Sequence, residues 1–356
     1  MESIITKASK GDFCLIAEIG VNYYDIAHNM NLTLMDAAKF MIDEAKKAGV
    51  HAVKFQTYKA EKLASKYSPY YWDLSEEATT SQFELFKKYD LFGYKEYEEI
   101  SNYCNSINIE FYSTPFDFES ADYLDSIMNI YKISSSDINN LPFIEHIAKK
   151  NKPILLSVGA SNEDEIDTAI GLIKKYNDQP IVIMHCVLEY PTIYEHANLN
   201  KITALKKKYN KLLIGYSDHT KPDSTYDVIK TAYNLGAIVV EKHFTIDRSL
   251  KGNDHYHAMD SDDAVNIIKS IAFLKKIRGS DNICCLDSEI TARKNARRSI
   301  VSLGKIEAGE IITMKNITFK RPGLGISPDM IDAILGKKVK CDIVDDTILS
   351  FDMFSD

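Results

Sequence analysis

From the amino terminus to about residue 280, short apolar runs rich in β-branched and aromatic residues alternate with longer stretches in which apolar positions recur every three or four residues. The short runs are Phe13–Ile19, His51–Phe55, Ile109–Ser113, Ile130–Ser134, Pro153–Val158, Pro180–Val187, Leu212–Ser217 and Ala237–Phe244, each the length of a buried strand. The longer stretches that follow them are Leu32–Ala48, Tyr94–Ile107, Phe118–Met128, Leu141–Lys150, Asn162–Tyr176, Leu199–Tyr209, Asp223–Leu235 and Ser261–Arg278. In the first of these Ala37, Met41, Ala45 and Ala48 share one face of a 3.6-residue period, the signature of an amphipathic helix. Strands that are apolar along nearly their whole length belong to a parallel sheet covered on both faces. Eight strand–helix units in succession therefore predict an α/β fold of the (β/α)8 TIM-barrel type.

Past that point the texture changes. Residues 281–295 are polar and irregular and are expected as a linker between a barrel over 1–280 and a small β-rich domain over 296–356, where short strands and turns follow one another from SIVSL to ILSFDMF. Within the barrel, the connection Tyr58–Phe92 contains the aromatic cluster YSPYYWD and the single tryptophan, Trp72. A connection of that length serves as a lid, a partner contact or a structural decoration.

Composition narrows the function classes. No run of 18 uncharged apolar residues occurs, so no membrane span is expected. The opening MESIITKASKGDF carries an early glutamate and no apolar core, so a secretory signal is not expected and the cytoplasm is. A net charge of -8 argues against nucleic acid or an anionic membrane as partner, while leaving a small anionic substrate open. The six cysteines, Cys14, Cys104, Cys186, Cys284, Cys285 and Cys341, show no CxxC spacing and are expected as buried, reduced thiols.

Catalytic groups of such barrels gather at the carboxyl ends of the strands, and polar residues collect there on almost every strand. Glu18 and Asn22 follow strand one, Lys54 and Gln56 close strand two, and Thr114 closes strand three. Lys132 precedes the run Ser134-Ser135-Ser136-Asp137, Ser157 ends strand five, and the last three strands end in HCVLEYPT, GYSDHT and EKHFT. Alternation places Lys54 with Gln56, and Glu241 with His243, on one face of their strands, pointing ionic groups into a buried sheet. One such lysine is as well explained by a structural ion pair, and one strand-end histidine by a hydrogen-bonded spacer. As an ensemble they suit a narrower chemistry, because buried charges need partners or a ligand. Lys54 and Lys132 with the hydroxyls of Thr114, Ser135, Ser157 and Ser217 suit a small dianion. His219 and His243 could hold one divalent cation with positions left open, and Glu18 and Asp137 offer carboxylates for proton handling.

These motifs resemble the sialic acid synthase family, which joins phosphoenolpyruvate to an amino-sugar aldehyde. The likeness runs the length of the chain, through AEIGVN, VKFQT, STPF, YKISSSD, ILLSVGAS, HCVLEYPT, GYSDHT, EKHFT and KRPGLGISP. The resemblance implies a barrel followed by an antifreeze-like (SAF) domain. It implies His219 and His243 as ligands of a divalent metal, manganese first, with magnesium or cobalt as the other candidates. Lys54, Thr114, Lys132, Ser135, Ser157 and Ser217 match the family's phosphoenolpyruvate contacts, and Glu18 and Asp137 match its catalytic carboxylates. Asn22, Gln56, Tyr190, Asp254 and Arg321 match positions around the sugar, Arg321 being delivered by the small domain of the partner chain in a domain-swapped homodimer. N-acetylmannosamine is the first acceptor so implied, with a diacetamido-trideoxyhexose leading to legionaminic or pseudaminic acid as the alternative.

Three segments depart from the family pattern. Gly20-Val21-Asn22-Tyr23-Tyr24-Asp25 replaces GxNHxG, Leu188 stands where several members carry an amide, and KGNDHYHAMD replaces the more frequent PGPDxxxS. Leucine cannot make the amide's hydrogen bond. His255 and His257 in the third segment are expected as solvent-facing loop residues. Two other readings stay open: an aldolase using Lys54 or Lys132 as a Schiff base, and an inactive barrel that binds carbohydrate.

Overall fold

The computed structural model describes residues 2–252 and 254–355, and the chain divides into two compact units, Met1–Arg278 and Gly279–Asp356. In the first, eight parallel strands form one sheet: β1 (Cys14–Gly20), β2 (Ala52–Thr57), β3 (Glu110–Pro115), β4 (Tyr131–Ile133), β5 (Ile154–Ser157), β6 (Ile181–His185), β7 (Leu213–Asp218) and β8 (Val239–His243). The hydrogen-bonded order is β3-β2-β1-β8-β7-β6-β5-β4, and its two ends, β3 and β4, lie side by side, so the sheet is a nearly closed (β/α)8 barrel. Every strand and helix predicted for the barrel has its counterpart, with ends shifted by a few residues.

Those shifts have local causes. The helix expected from Leu32 runs over Leu34–Lys47 because the Thr33 side chain accepts from Asp36 N at 3.1 Å, and a capped residue lies outside its helix. Asn162 and Glu165 form a reciprocal capping box before Glu163–Tyr176, which satisfies two otherwise orphaned N–H groups. Gly215 in β7 tolerates no side chain, since a Cβ would come 2.2 Å from Met184 Sδ and 2.7 Å from Val239 O.

Register sets the level of the site. Glu18 is paired with Lys54 on β2 and with His243 on β8, and Ser217 on β7 is paired with Glu241. Three neighbouring strands thus bring an acid, an amine and an imidazole to one level at the carboxyl end of the barrel.

The periodicity missed several short helices. Tyr23–Met30 follows β1 directly, and Ala60–Leu63 and Gln82–Lys88 lie within the long connection after β2. The stretch expected as an irregular linker contains the helix Ile290–Ala296. Its residues are all exposed, so it has no buried stripe to announce it. The second unit has its own core around Ile300, Ile306, Ile317, Val339, Ile343 and Leu349, with β9 (Ser299–Ser302) antiparallel to β10 (Ile317–Lys320). Cys14, Cys104 and Cys186 are buried as expected, but Cys284, Cys285 and Cys341 are exposed, because they lie outside the packed faces of either unit. All six are free thiols. Among the described residues no helix is long and apolar enough to cross a membrane.

Candidate active site

At the carboxyl ends of the strands lies a cavity of about 460 Å³. Its lining includes every site residue expected from the sequence except Asn22 and Arg321: Glu18, Lys54, Gln56, Thr114, Lys132, Ser135, Asp137, Ser157, Tyr190, Ser217, His219, His243 and Asp254. Asn22 is buried beside it with another task, its amide donating to Phe244 O at 3.0 Å and Asp254 O at 3.4 Å, which ties the end of β1 to the segment after β8. Arg321 belongs to the second unit and is exposed there.

The floor is an ion-pair network. Lys132 Nζ donates to Glu241 Oε1 at 2.8 Å, and Lys54 Nζ stands 3.8 Å from the same oxygen while pairing directly with Glu18. Ser217 Oγ also donates to Glu241 Oε1, at 3.1 Å, Lys54 donates to Thr114 Oγ1 at 3.1 Å, and Gln56 Nε2 donates to Glu18 Oε1 at 3.0 Å. Glu241 is the participant that no motif assignment had given a role. Its alternation with His243 was the available signal. Burial opposes its charge, but the two lysines outweigh burial and hold its carboxyl at about 2. Glu18 behaves oppositely: burial raises it more than Lys54 lowers it, with Glu241 raising it further. Two adjacent carboxyls are thereby driven apart in acidity, one kept as a fixed anion and one ready to carry a proton. Burial works against the charge of Lys132 too, yet Glu241 keeps its amine above the ordinary lysine range.

Around this floor stand polar atoms without internal partners. Ser157 Oγ, Asp137 Oδ2 and Glu241 Oε2 are buried and make no hydrogen bond among the described residues, a cost of about 1–3 kcal/mol each that a bound ligand would remove. Burial pushes the Asp137 carboxyl up to about 6. Gly159 leaves room here, since a Cβ would lie 2.8 Å from Cys186 Sγ and 3.1 Å from Ser135 Oγ.

A histidine cluster forms the adjoining wall. His219 Nδ1 donates to Val187 O at 2.8 Å, which leaves Nε2 with its lone pair free to bind a cation. The rings of His219 and His243 have centroids 5.6 Å apart, and Tyr190 packs on His219 at 4.2 Å. Burial lowers His219 to about 4 and His243 well below the usual histidine range, so both rings are neutral, as a metal ligand must be.

His255 and His257 are not solvent-facing. Both are fully buried, because the segment after β8 folds back onto the strand, Met259 N donating to His243 O at 2.8 Å and Thr245 N to Met259 O at 3.0 Å. His255 bonds Thr245 Oγ1 at 2.7 Å and Asp25 Oδ2 at 3.2 Å. Two of the segments that depart from the family pattern thus touch one another through Asp25 and His255. His257 faces His243, ring centroids 4.8 Å apart, and one donor atom each from His243, Asp254 and His257 all lie within 4.8 Å of one another.

The long connection after β2 supplies much of the apolar lining. Tyr58, Leu63, Tyr71, Leu85 and Phe86 from that segment line the cavity, together with Val21, Phe116 and Leu188. Trp72 anchors the segment by donating from its indole to Glu77 O and Thr79 O, both at 3.1 Å.

Comparison with known proteins places this geometry. The NeuB family model matches residues 41–282 and the SAF domain model residues 297–355. An N,N'-diacetyllegionaminic acid synthase of Legionella pneumophila is 36% identical over 343 residues, covering 94% of this chain and 92% of that protein. An N-acetylneuraminate-9-phosphate synthase of Mus musculus is 30% identical over 342 residues, covering 94% and 91%. The crystal structure of a sialic acid synthetase from Leptospira borgpetersenii superposes with a TM-score of 0.67 at 32% identity, covering 79% of this chain and 90% of that one.

Proposed function

The chain belongs to the NeuB family, and from that premise we propose that it condenses phosphoenolpyruvate with an N-acetylated amino-sugar aldehyde and water to give a nine-carbon sugar acid and phosphate. The observation that carries this reading is the convergence of two lysines, four hydroxyls and two neutral histidines on one cavity. Lys54 and Lys132 bind the phosphate and carboxylate, held in place by the Glu241 anion. Thr114, Ser135, Ser157 and Ser217 donate hydroxyl hydrogens to the same anions. As carbon 3 of the enol attacks the aldehyde carbon and water adds at carbon 2, Asp137 Oδ2 accepts the water proton and Glu18 gives its proton to the aldehyde oxygen, which becomes a hydroxyl. Cleavage of the C2–O bond then releases phosphate, which takes the proton of the C2 hydroxyl as that carbon becomes a ketone.

The donor set fits a divalent cation: His219 presents a free Nε2 and the His243 Nδ1 atom is buried without a hydrogen-bond partner. Bound between them, the ion would supply Lewis-acid polarisation of the aldehyde, and manganese is the ion we propose. A Schiff-base route is disfavoured, because Lys132 is paired with Glu241 and keeps its proton. A homodimer in which Arg321 of one chain serves the barrel of the other is retained from the resemblance as part of this reading.

For the acceptor, the lining shifts the order expected from the sequence. Leu63, Leu85, Phe86, Phe116 and Leu188 give the cavity an apolar wall, and Lys54 and Lys132, both paired with glutamates, are the only cations in its lining among the described residues. Such a wall suits the methyl groups of a diacetamido-trideoxyhexose better than a hydroxymethyl or a sugar phosphate. The 36% identity to a legionaminic acid synthase supports the same order. Incubation with phosphoenolpyruvate, Mn(II) and a panel of N-acetylmannosamine, its 6-phosphate and 2,4-diacetamido-2,4,6-trideoxyhexoses, followed by mass spectrometry, tests the reading. A sugar acid from the diacetamido aldose is expected. No phosphate release with any of them would leave an inactive barrel.

A further inference from the structure

His257 is the buried group that the proposed reaction does not use. Both of its ring nitrogens are buried without a hydrogen-bond partner among the described residues, and so is His243 Nδ1. Its place is built rather than accidental. The segment carrying it is pinned to β8 through the Met259 N to His243 O bond and to the loop after β6 through Tyr256 OH, which donates to Tyr190 O at 3.0 Å. It therefore sets an imidazole with two unused nitrogens against the ring of His243 and the carboxylate of Asp254, whose Oδ2 lies 3.6 Å from His243 Nδ1. Buried polar side chains find partners in folded proteins, and three imidazole nitrogens without partners among the described residues, beside the Asp254 carboxylate, point to a cation among them.

We propose that His257 is a third imidazole ligand of the divalent cation, joining His243 and Asp254 beside His219, whose ring centroid lies 5.6 Å from that of His243. The inference deepens the synthase reading and rests on it only for the use to which the ion is put. Donor atoms about 2.0–2.2 Å from a central ion lie at most about 4.0–4.4 Å apart, so the 4.8 Å span of the three donors closes with a small ring rotation. A centre with a third imidazole would favour borderline ions such as Co(II), Zn(II) or Fe(II) over Mg(II) more strongly than a pair of histidines does.

Calorimetric titration of the metal-free full chain with Co(II) and Mn(II), without substrate, tests this. The His257→Gln variant is expected to bind Co(II) at least about tenfold more weakly than wild type, to lose less affinity for Mn(II), and to keep its metal-free melting temperature. Wild-type Co(II) affinity in the folded variant would overturn the proposal. Should the variant not fold, a crystal of the Co(II)-loaded wild type decides: an anomalous peak about 2.2 Å from a His257 nitrogen supports the ligand, and a peak out of its reach refutes it. If Co(II) binds through His257 while no aldose in the panel yields a sugar acid, the metal site stands and the synthase reading falls. Sugar acid formation together with metal binding indifferent to His257 gives the reverse.

Discussion

Lys132 Nζ lies 2.8 Å from Glu241 Oε1, and the two residues come from β4 and β8, on opposite sides of an eight-stranded ring. The same carboxylate oxygen stands 3.8 Å from Lys54 Nζ. One buried anion therefore holds two ammonium groups close together, which removes much of the repulsion that two neighbouring lysines would otherwise suffer.

Replacing either lysine should then do two separable things. Lys132→Met is expected to raise the KM for phosphoenolpyruvate roughly 10- to 100-fold, the loss of one charge-assisted contact at about 1.5–3 kcal/mol. It should also lower stability, by at most about 3–5 kcal/mol, since Glu241 loses its nearer ammonium and keeps only Lys54 at 3.8 Å and the Ser217 hydroxyl. Lys132→Met with Glu241→Gln should recover much of the melting temperature and none of the substrate affinity. A double variant as unstable as the single one would show that the pair is not the source of the loss.

Asp137 should give a pH signature of opposite sign to an ordinary salt-bridged carboxylate. Its carboxyl is raised from the ordinary 3.8 to about 6, chiefly by burial, so between these values the folded chain binds more protons than the unfolded one and stability falls as pH rises. At neutral pH the cost approaches about 3 kcal/mol. Asp137→Asn should therefore melt higher than wild type at pH 7.5, and the advantage should vanish as pH falls through 6 towards 4. The same substitution should remove the acid limb of the activity profile near pH 6, along with most of kcat.

Chelation should abolish phosphate release and Mn(II) should restore it. A His219→Ala, His243→Ala variant should show neither response while keeping its fold by circular dichroism. Undiminished turnover by that variant in chelator would remove the metal from the mechanism.

The role proposed for Arg321 is tested by complementation. An Arg321→Ala chain and a His219→Ala chain, each inactive alone, should regain activity when mixed under conditions of subunit exchange, because one barrel then has both an intact metal site and an intact arginine from its partner. Exchange confirmed by mass without recovery would leave Arg321 in its own chain or outside the reaction.

The barrel was legible from the chain because side-chain periodicity is a local property: a strand buried on both faces must be apolar along its length, wherever its neighbours lie. The same alternation placed Lys54, Gln56, Glu241 and His243 inward, and nearly all the candidate residues meet in one cavity for that reason. Pairing was not legible. That Glu241 answers Lys132 follows from β4 and β8 facing each other across the ring, a relation between residues 109 apart.

The misjudged histidines mark the same boundary. KGNDHYHAMD is polar and aperiodic, so by itself it describes an exposed loop with His255 and His257 in solvent. Only closure of the segment onto β8, through backbone bonds to His243 and Thr245, buries both rings, pairs His255 with Asp25 and turns His257 towards His243. The bonds of the Asn22 amide to the backbone of Phe244 and Asp254 are likewise invisible in the sequence. The chain alone determined which residues point inward along each strand, since that depends on the nearest neighbours in sequence. Which loop covers them, and hence which polar groups lose water and need one another, depended on contacts between segments, some of them more than two hundred residues apart, and the tertiary structure alone decided it.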